Sequence, residues 1–457
     1  MNFVPTIHQA FRWSLAAVAG LLVGIMSAQA QQHEAVTADT LKISIEEIDT
    51  LHTWCSPLWG HHAPKIAVDA AGNDYVLKFS GSYPSAQVCL MERGIDGIWK
   101  TRKQFGGAYQ PSLILIDDEG SINVIENSQS EPILHLRSSG SGQPSSFEVV
   151  SKGNGLGDGR GWYVGAGINR GTIYMSYITL SYDLHLTWKA LPDTGWHKPV
   201  LVHSGSVDLK KGNHSWTRPK FGFYGDYGYF VVNETSDGSV KNSYNAVYCV
   251  RFLLNDPSKF ETECIDSVPL GYGAFSSDFA ISPIGGIVCV YGKGDSLYYS
   301  GEKERVPDKG SYVAIRRSSD SSWKKVRVFD KSGEACIFFG QNGELCNFRL
   351  EAETPPRAGE KKIPENPSRL QSGSMNAKWK ARVSHDGGTS WNDAVVLAPD
   401  TRFVKPSHMQ LAEAYNKKDG RVAGVFEDCI ENGGQGKLLL YRLYAFTAEL
   451  NHTVITH

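Results

Sequence analysis

PKIAVDAAGNDYVLKF, residues 64–79, contains two short apolar runs separated by the glycine-bearing turn Asp69–Gly72. Such a pattern predicts a β-hairpin, because glycine tolerates the backbone angles that a tight turn requires. Comparable turns recur at residues 117–120, 169–171, 225–228, 283–286, 341–343 and 418–420. Seven hairpins at a spacing of roughly fifty residues predict an all-β fold, a seven-bladed β-propeller.

A second repeat lies out of phase with the first. Four segments place an aspartate in a polar turn before a tryptophan, namely Asp96–Trp99, Asp193–Trp196, Asp320–Trp323 and Asp386–Trp391. The last of them, SHDGGTSW at residues 384–391, matches the Asp box S-x-D-x-G-x-x-W. In this box, and in the strand starts Pro64–Gly72 and Pro111–Gly120, the chain resembles the sialidase-like (BNR, Asp-box) β-propeller superfamily. The resemblance implies that Asp386 and Trp391 are architectural, the carboxylate binding turn amides and the indole packing between blades.

The first thirty residues differ from the repeats. Arg12 precedes an apolar run from Trp13 to Met26, and Ala28-Gln29-Ala30 has the form of a signal-peptidase site. This pattern predicts a secretory signal peptide over residues 1–30. We therefore expect a secreted or periplasmic protein with no membrane span after signal removal.

The remaining residues, 31–457, are expected to form a single propeller domain and a monomer. The formal net charge of −2 gives no indication of a nucleic-acid partner. Leu41–Ile48 alternates as a strand does, and we expect it to close the ring beside Leu438–Leu443 in the last blade. Residues 351–373 are polar and proline-rich, which predicts a surface insertion in the sixth blade.

Export would place the eight cysteines in an oxidising compartment. Cys336 and Cys346 flank one turn, and Cys249 and Cys264 lie on predicted neighbouring strands, so both are candidate disulfide pairs. The sequence has no Cys-x-x-Cys motif and no Cys/His cluster with zinc spacing. We expect neither a metal nor a cofactor.

Propellers bind ligands where the innermost strands begin, at the mouth of the central channel. The aligned strand starts are rich in His, Tyr, Trp and Arg, the residue types of a sugar-binding site. The candidate catalytic residues are His61, His62, Tyr109, Tyr163 and His408. The candidate substrate-binding residues are Arg160, Arg218, Trp216, Gln110 and Asp278.

Some of these candidates carry alternatives. His61 and His62 are adjacent on a predicted strand and point to opposite faces, so at most one of them faces the channel. Arg160 and Arg218, on neighbouring blades, would form a fork for a carboxylate or a sulfate if their side chains converge. Packing is the alternative role for Trp216.

Comparison with known propeller enzymes leaves the reaction open. Sialidases carry three arginines, and the sequence offers Arg160 and Arg218, with His61-His62-Ala63-Pro64 where that family has an Arg-Ile-Pro motif. The ulvan-lyase type of propeller has a Thr-Tyr-Pro strand start, for which this chain has Thr217-Arg218-Pro219. The exo-α-L-rhamnosidase propellers use an early histidine, a place that His61 or His62 could fill.

We expect a carbohydrate-active enzyme that cleaves the glycosidic bonds of an acidic polysaccharide or oligosaccharide. An exo-type glycoside hydrolase is slightly favoured over a polysaccharide lyase. A non-catalytic glycan-binding propeller is the alternative from a different functional class.

Overall fold

The repeated hairpins form the inner strands of seven separate sheets, the blades of a propeller. In this computed structural model the described residues are 39–51, 57–58, 60, 62–81, 86–94, 96–107, 110–128, 131–140, 146–157, 161–191, 193–208, 212–237, 244–269, 272–295, 308–340, 343–352, 377–399, 403, 406–412, 421–428 and 436–446. Residues 40–446 form one compact unit. The predicted fold class, an all-β seven-bladed propeller, is confirmed.

The first three blades are four-stranded antiparallel sheets whose strands follow chain order from the channel outwards. Blade 1 consists of β2 (Ile66–Val68), β3 (Asp74–Ser80), β4 (Gln87–Arg93) and β5 (Trp99–Gly107). Blade 2 consists of β6 (Leu113–Ile116), β7 (Ile122–Glu126), β8 (Leu134–Ser138) and β9 (Phe147–Lys152). Blade 3 consists of β10 (Val164–Asn169), β11 (Thr172–Ile178), β12 (Leu184–Ala190) and β13 (Val200–His203).

Blades 4 to 6 continue this order, and blade 4 carries one additional short strand. Blade 4 consists of β14 (Ser206–Asp208), β15 (Gly212–Tyr224), β16 (Tyr227–Asp237), β17 (Tyr244–Leu253) and β18 (Asp256–Ser267). Blade 5 consists of β19 (Tyr272–Ile281), β20 (Ile287–Asp295), β21 (Gly310–Arg316) and β22 (Lys324–Phe329). Blade 6 consists of β23 (Cys336–Phe339), β24 (Leu345–Ala352), β25 (Ala377–Ser384) and β26 (Asn392–Asp393).

Blade 7 joins the two ends of the described chain. Its strands are β28 (Pro406–Leu411), β29 (Arg421–Asp428), β30 (Gly436–Phe446), β1 (Thr40–Leu51) and β27 (Val395–Leu397). Strand β1 runs antiparallel to β30, with Ile43 opposite Leu443, and parallel to β27 on its other side. The prediction that an N-terminal strand closes the ring is therefore confirmed.

The predicted turns that lie within the described residues each join an inner strand to the next strand of its blade. In the Asp69–Gly72 turn, the Asp69 carboxylate accepts hydrogen bonds from the backbone N–H groups of Ala71 at 2.9 Å and Asn73 at 2.8 Å. Gly72 has a φ of +87°, in the region that favours glycine. The corresponding turn at 418–420 lies outside the described residues.

The hydrophobic core is divided among the interfaces between blades. Seven buried apolar clusters occur among the described residues, and each lies between two neighbouring blades. In β24, Leu345 packs towards blade 5 while Phe348 packs towards blade 7. This alternation follows from the two-residue period of a strand, which sends successive side chains to opposite faces of the sheet.

The Asp386 turn connects β25 to β26, the outer two strands of blade 6. Its carboxylate accepts hydrogen bonds from the N–H groups of Thr389 at 2.8 Å and Ser390 at 2.9 Å, and from the Ser384 hydroxyl at 2.8 Å. The Trp391 ring packs against the cluster between blades 5 and 6. Asp386 is exposed. Its role is to hold the turn together on the outer edge of the blade.

Replacing Asp386 by alanine is expected to lower the thermal midpoint of unfolding and to leave activity below that temperature unchanged, because the lost hydrogen bonds are internal to the turn. Differential scanning calorimetry and activity measured on the same preparation test this. Asp386→Asn retains one acceptor oxygen and serves as the control, with a smaller expected shift. A variant that melts like the wild type but is inactive would contradict the architectural role.

A chain of buried polar groups crosses the interface between blades 2 and 3. The Asn123 side chain donates to Asp117 Oδ2 at 3.1 Å, and Asn123 Oδ1 lies 2.9 Å from His135 Nε2. His135 Nδ1 is hydrogen-bonded to the Lys189 ammonium. Burial, together with the positive charges of Lys189 and Arg137, lowers the pKa of His135 to about 3. The imidazole is therefore neutral in the folded protein, its Nε2 donating to Asn123 and its Nδ1 accepting from Lys189.

The stability of the folded protein is expected to decrease as the pH is lowered below about 6.5. The reason is that the unfolded state then binds a proton at His135 and the folded state does not. The free energy of unfolding should decrease by about 1.4 kcal/mol per pH unit from this group. The difference in the free energy of unfolding between the wild type and His135→Gln should thus narrow by about 1.6 kcal/mol between pH 6.5 and pH 5. Urea unfolding of both proteins over this range measures it, and parallel pH curves would contradict the assignment.

The two predicted disulfides are wrong, since all four cysteines are free thiols. Cys249 lies opposite Glu263 and is buried, whereas Cys264 lies opposite Tyr248 and is exposed, so the two point to opposite faces of blade 4. Cys336 lies opposite Phe348 and Cys346 opposite Phe338. That diagonal placement leaves the two residues roughly 7–8 Å apart, beyond the reach of a disulfide.

Two further sequence predictions lie outside the described residues. They are the signal peptide over residues 1–30 and the greater part of the 351–373 insertion, since β24 ends at Ala352 and β25 begins at Ala377. Within the described residues, no helix has the length and apolar character needed to cross a membrane.

Candidate functional site

The inner strands β2, β6, β10, β15, β19, β23 and β28 all begin at one end of the ring, which we call the mouth. They end in the glycine-bearing turns at the opposite end, which we call the turn end. Among the described candidates, His62, Gln110 and Tyr163 lie in segments that precede inner strands, whereas Trp216 and Asp278 lie within β15 and β19.

Two of the predicted catalytic residues, His62 and Tyr163, lie against each other at the mouth. Their ring centroids are 5.6 Å apart and their planes are inclined at 57°. His62 is buried, with 6% of its surface exposed, while Tyr163 is half-buried. The two residues come from the segments preceding β2 and β10, and their contact bridges blades 1 and 3. Imidazole and phenol are both side-chain types that can take part in proton transfer.

Tyr163 is held by its own blade. The backbone N–H of Trp162 donates to the carbonyl of Ile178 at 2.8 Å, and the N–H of Ile178 donates to the carbonyl of Tyr163 at 3.0 Å. The Trp162 ring stacks on Tyr182 with a centroid separation of 6.1 Å. These contacts continue the β10–β11 ladder by two residues and fix the backbone from which the Tyr163 side chain extends.

The segment that carries His62 is held by blade 7. The side-chain amide of Gln410 donates to the carbonyl of Ala63 at 2.9 Å and accepts from the N–H of Lys65 at 2.7 Å. Glu427 Oε2 accepts from the N–H of Leu58 at 3.1 Å. Gln410 and Glu427 are both 2% exposed. Blade 7 thus fixes a segment without regular secondary structure from both sides of His62.

Lys65, three residues after His62, is a buried lysine between blades 1 and 2, with 1% of its surface exposed. Its ammonium donates to the carbonyl of Ser112 and lies 5.2 Å from the centroid of the Phe79 ring. Burial lowers the pKa of Lys65 to about 7. Lys65 therefore changes its charge near neutral pH, immediately beside the His62 segment.

Asp278, a predicted substrate-binding residue, connects three blades. Its carboxylate forms an ion pair with Lys220 of blade 4 and accepts from the N–H of Ile337 of blade 6 at 2.8 Å. Asp278 is 2% exposed and Lys220 is 8% exposed, and both line the central channel. The ion pair compensates both charges inside the ring.

The other two described substrate-binding candidates differ in exposure. Trp216 is 2% exposed and stacks on His203 with a centroid distance of 4.1 Å, so its ring packs between blades 3 and 4. Gln110 is half-buried, and its backbone carbonyl accepts from the Ser112 hydroxyl at 3.3 Å. Of the two, Gln110 has the more accessible side chain.

The remaining candidates lie wholly or partly outside the described residues. His61, Tyr109 and Arg160 lie outside the described residues. Arg218 and His408 are described through their strands, β15 and β28, and their side chains lie outside the described part. The proposed fork of Arg160 and Arg218 therefore stays a prediction.

Sequence reasoning missed several buried charged groups of the ring. Lys65, just before β2, and Lys220, within β15, each follow a proline, and this shared Pro-Lys pair was the signal that could have identified them. Glu427, at 2% exposure, lies in β29 of blade 7, outside the strand starts that the alignment compared. Within the described residues no group of three or more His, Cys, Asp or Glu side chains could hold a metal ion.

Comparisons with known proteins identify relatives by fold. No protein-family model matches the chain, and no curated protein sequence matches it significantly. Among solved structures, a polysaccharide lyase of family PL25, an ulvan lyase bound to -[GlcA(1-4)Rha3S]-, has a TM-score of 0.58 and 12% identity, covering 83% of this chain and 91% of its own. The polysaccharide lyase Uly1 has a TM-score of 0.54 and 10% identity, covering 84% and 90%. These similarities show a shared propeller fold.

Proposed function

We propose that this protein cleaves an acidic polysaccharide by β-elimination at the mouth of the channel. The contact between the His62 and Tyr163 rings, at 5.6 Å, is the observation that carries the proposal. Two side chains of types that can transfer protons come together there from different blades, and Tyr163 is half-buried. The fold similarity to two polysaccharide lyases supports the same reaction class.

The substrate class is inferred from the positive charge of the candidate binding residues. Elimination next to a carboxylate requires a cation that neutralises the carboxylate and makes the adjacent C–H bond more acidic. We assign this role to Arg218 in β15 and to Arg160, with Gln110 as a neutral hydrogen-bonding partner for the sugar. A substrate built of 4-linked uronate residues meets this requirement.

The proton transfers divide between the two rings. His62, as a neutral imidazole, accepts the C5 proton. The C5 electron pair forms the C4–C5 double bond while the C4–O bond breaks. Tyr163 donates its phenolic proton to the departing oxygen, and solvent restores both protonation states. The products are a fragment with a new reducing end and a fragment that ends in an unsaturated uronate.

Exo-type glycoside hydrolysis is the second candidate. It is supported by two buried carboxyl groups near the mouth, Glu334 at 1% exposure and Glu427 at 2% exposure, on the neighbouring blades 6 and 7. Hydrolysis commonly uses a pair of carboxyl groups, one as acid and one as base or nucleophile. The Glu427 carboxylate already accepts a hydrogen bond from the N–H of Leu58, which favours a role in holding the His62 segment.

One assay separates the candidates. The purified protein is incubated with uronate-containing, sulfated and neutral polysaccharides while ultraviolet absorbance of unsaturated uronates and the number of reducing ends are followed in parallel. Elimination raises both signals together on uronates. Reducing ends without absorbance would instead establish hydrolysis, and saturable binding without either signal would establish a glycan-binding protein.

Secretion of the protein fits this function, because an acidic polysaccharide of this kind occurs outside the cytoplasm. We propose that residues 1–30 direct secretion, supported by the apolar run Trp13–Met26 and the Ala28-Gln29-Ala30 site. N-terminal sequencing of the secreted protein tests it, with Gln31 expected as the first residue.

A further inference from the structure

The turn end of the channel contains a cavity of about 390 Å³. Its walls come from the inner strands of all seven blades, and they are mainly aliphatic and aromatic. The mouth residues His62 and Tyr163 are not among the residues that line it. The cavity is therefore a separate feature of the same channel, and its volume lies within the range of small-ligand pockets.

A ring of apolar side chains surrounds this cavity at the turn end. Each of blades 1 to 6 places one half-buried apolar residue at the last or second-to-last position of its inner strand, and these six are Val68, Ile116, Ile168, Phe223, Ile281 and Phe339. Contiguous apolar surface that is partly exposed commonly marks a binding site. The six repeated apolar residues form such a surface around the cavity.

The inner end of the cavity carries charges that are already compensated. Lys220 and Asp278 line it there and form an ion pair, and Asp278 also accepts from the N–H of Ile337. A ligand group placed against this pair meets no unbalanced charge. The buried part of a ligand that fits the cavity is therefore uncharged.

The cavity is long compared with a single side chain. Lys220 to Phe223 and Asp278 to Ile281 each cover four residues of a lining strand, which is about 10 Å along the strand direction. Outside it, the apolar surface continues through Tyr224, 41% exposed, and Ile284, 82% exposed, on blades 4 and 5. An elongated apolar chain fits a cavity of this shape, with its polar end in solvent.

We infer that the turn end of the channel binds the alkyl chain of an amphiphile, with the uncharged chain inside the ring and the head group outside. This site is distinct from the proposed polysaccharide site, since it lies at the opposite end of the channel. Its test does not depend on any catalytic activity.

The experiment is a chain-length series. Hexanol, octanol and decanol are titrated into the full-length protein by calorimetry, below the concentrations at which they aggregate. Affinity is expected to rise about fourfold per added methylene group until the chain fills the cavity. The heat-capacity change of binding should be negative, as apolar burial requires. Affinity that does not depend on chain length overturns the inference.

Two matched variants locate the site. Ile116→Glu places a charge in the ring and is expected to weaken decanol binding at least tenfold. Ile98→Glu is the control, since Ile98 is 57% exposed in the turn between β4 and β5, and it should bind decanol like the wild type. If Ile116→Glu does not fold, Ile168→Gln replaces it with the same expected direction. Equal binding by the ring variant and the control overturns the inference.

Discussion

Replacing Tyr163 by phenylalanine is expected to reduce the rate of polysaccharide cleavage by about 10²–10⁴-fold, the usual contribution of a general acid or base. The substitution removes one hydroxyl and retains the ring that contacts His62 at 5.6 Å. The fold and the thermal midpoint should therefore be unchanged. Initial rates on a uronate-containing polysaccharide, with circular dichroism of the same samples, measure both effects.

Tyr182→Phe is the matched control. Tyr182 is also half-buried, belongs to the same blade and stacks on Trp162 beside Tyr163, so its variant removes an equivalent hydroxyl nearby. It should retain full activity. If Tyr163→Phe also retains full activity, the proton-transfer role assigned to Tyr163 is wrong.

Replacing Asp278 by alanine is expected to destabilise the protein by about 3–5 kcal/mol, because it leaves the Lys220 charge buried and uncompensated. The loss includes the hydrogen bond from the N–H of Ile337, which links blade 5 to blade 6. Urea unfolding gives the free energy of unfolding for variant and wild type. The effect should be among the largest of any single substitution in the ring.

Two variants control this result. Asp226→Ala removes an exposed carboxylate from the β15–β16 turn and should change the free energy of unfolding by less than about 0.5 kcal/mol. The double variant Lys220→Met with Asp278→Leu removes both charges and should recover much of the stability. A near wild-type stability for Asp278→Ala would leave substrate binding as the better account of this residue.

The architecture could be predicted from the sequence because its signals are local and repeated. Turn glycines such as Gly72 and Gly120 follow apolar runs at a regular spacing, and each hairpin needs no information from distant parts of the chain. The closing strand Leu41–Ile48 was predictable for a related reason, since its alternating pattern was left over once the repeats were assigned. Repetition thus compensated for the weakness of each individual signal.

The site was predicted less completely, because its contacts join residues that are far apart in the chain. The sequence placed His62 and Tyr163 at the same end of the ring, but their contact depends on how blades 1 and 3 turn towards the channel. The burial of Trp216 and the pairing of Asp278 with Lys220 depend on neighbouring blades in the same way. The prediction of a Cys249–Cys264 pair was wrong because strand register is not visible in the sequence, and a shift of one residue reverses the face on which a side chain lies. The prediction of a Cys336–Cys346 pair was wrong because the register offsets these residues by two positions.

The pairing of β1 with β30 has a consequence for how the protein is made. Glu47 and Lys437, 390 positions apart, form an ion pair at 2.7 Å across these strands. During biosynthesis the first strand must therefore wait for nearly the whole chain before it can join its partner. Closing so long a loop costs conformational entropy and slows folding, so this step is expected to come last. Until it does, the edge of β30 is open to pairing with other chains, and a chaperone that shields it would raise the yield of folded protein.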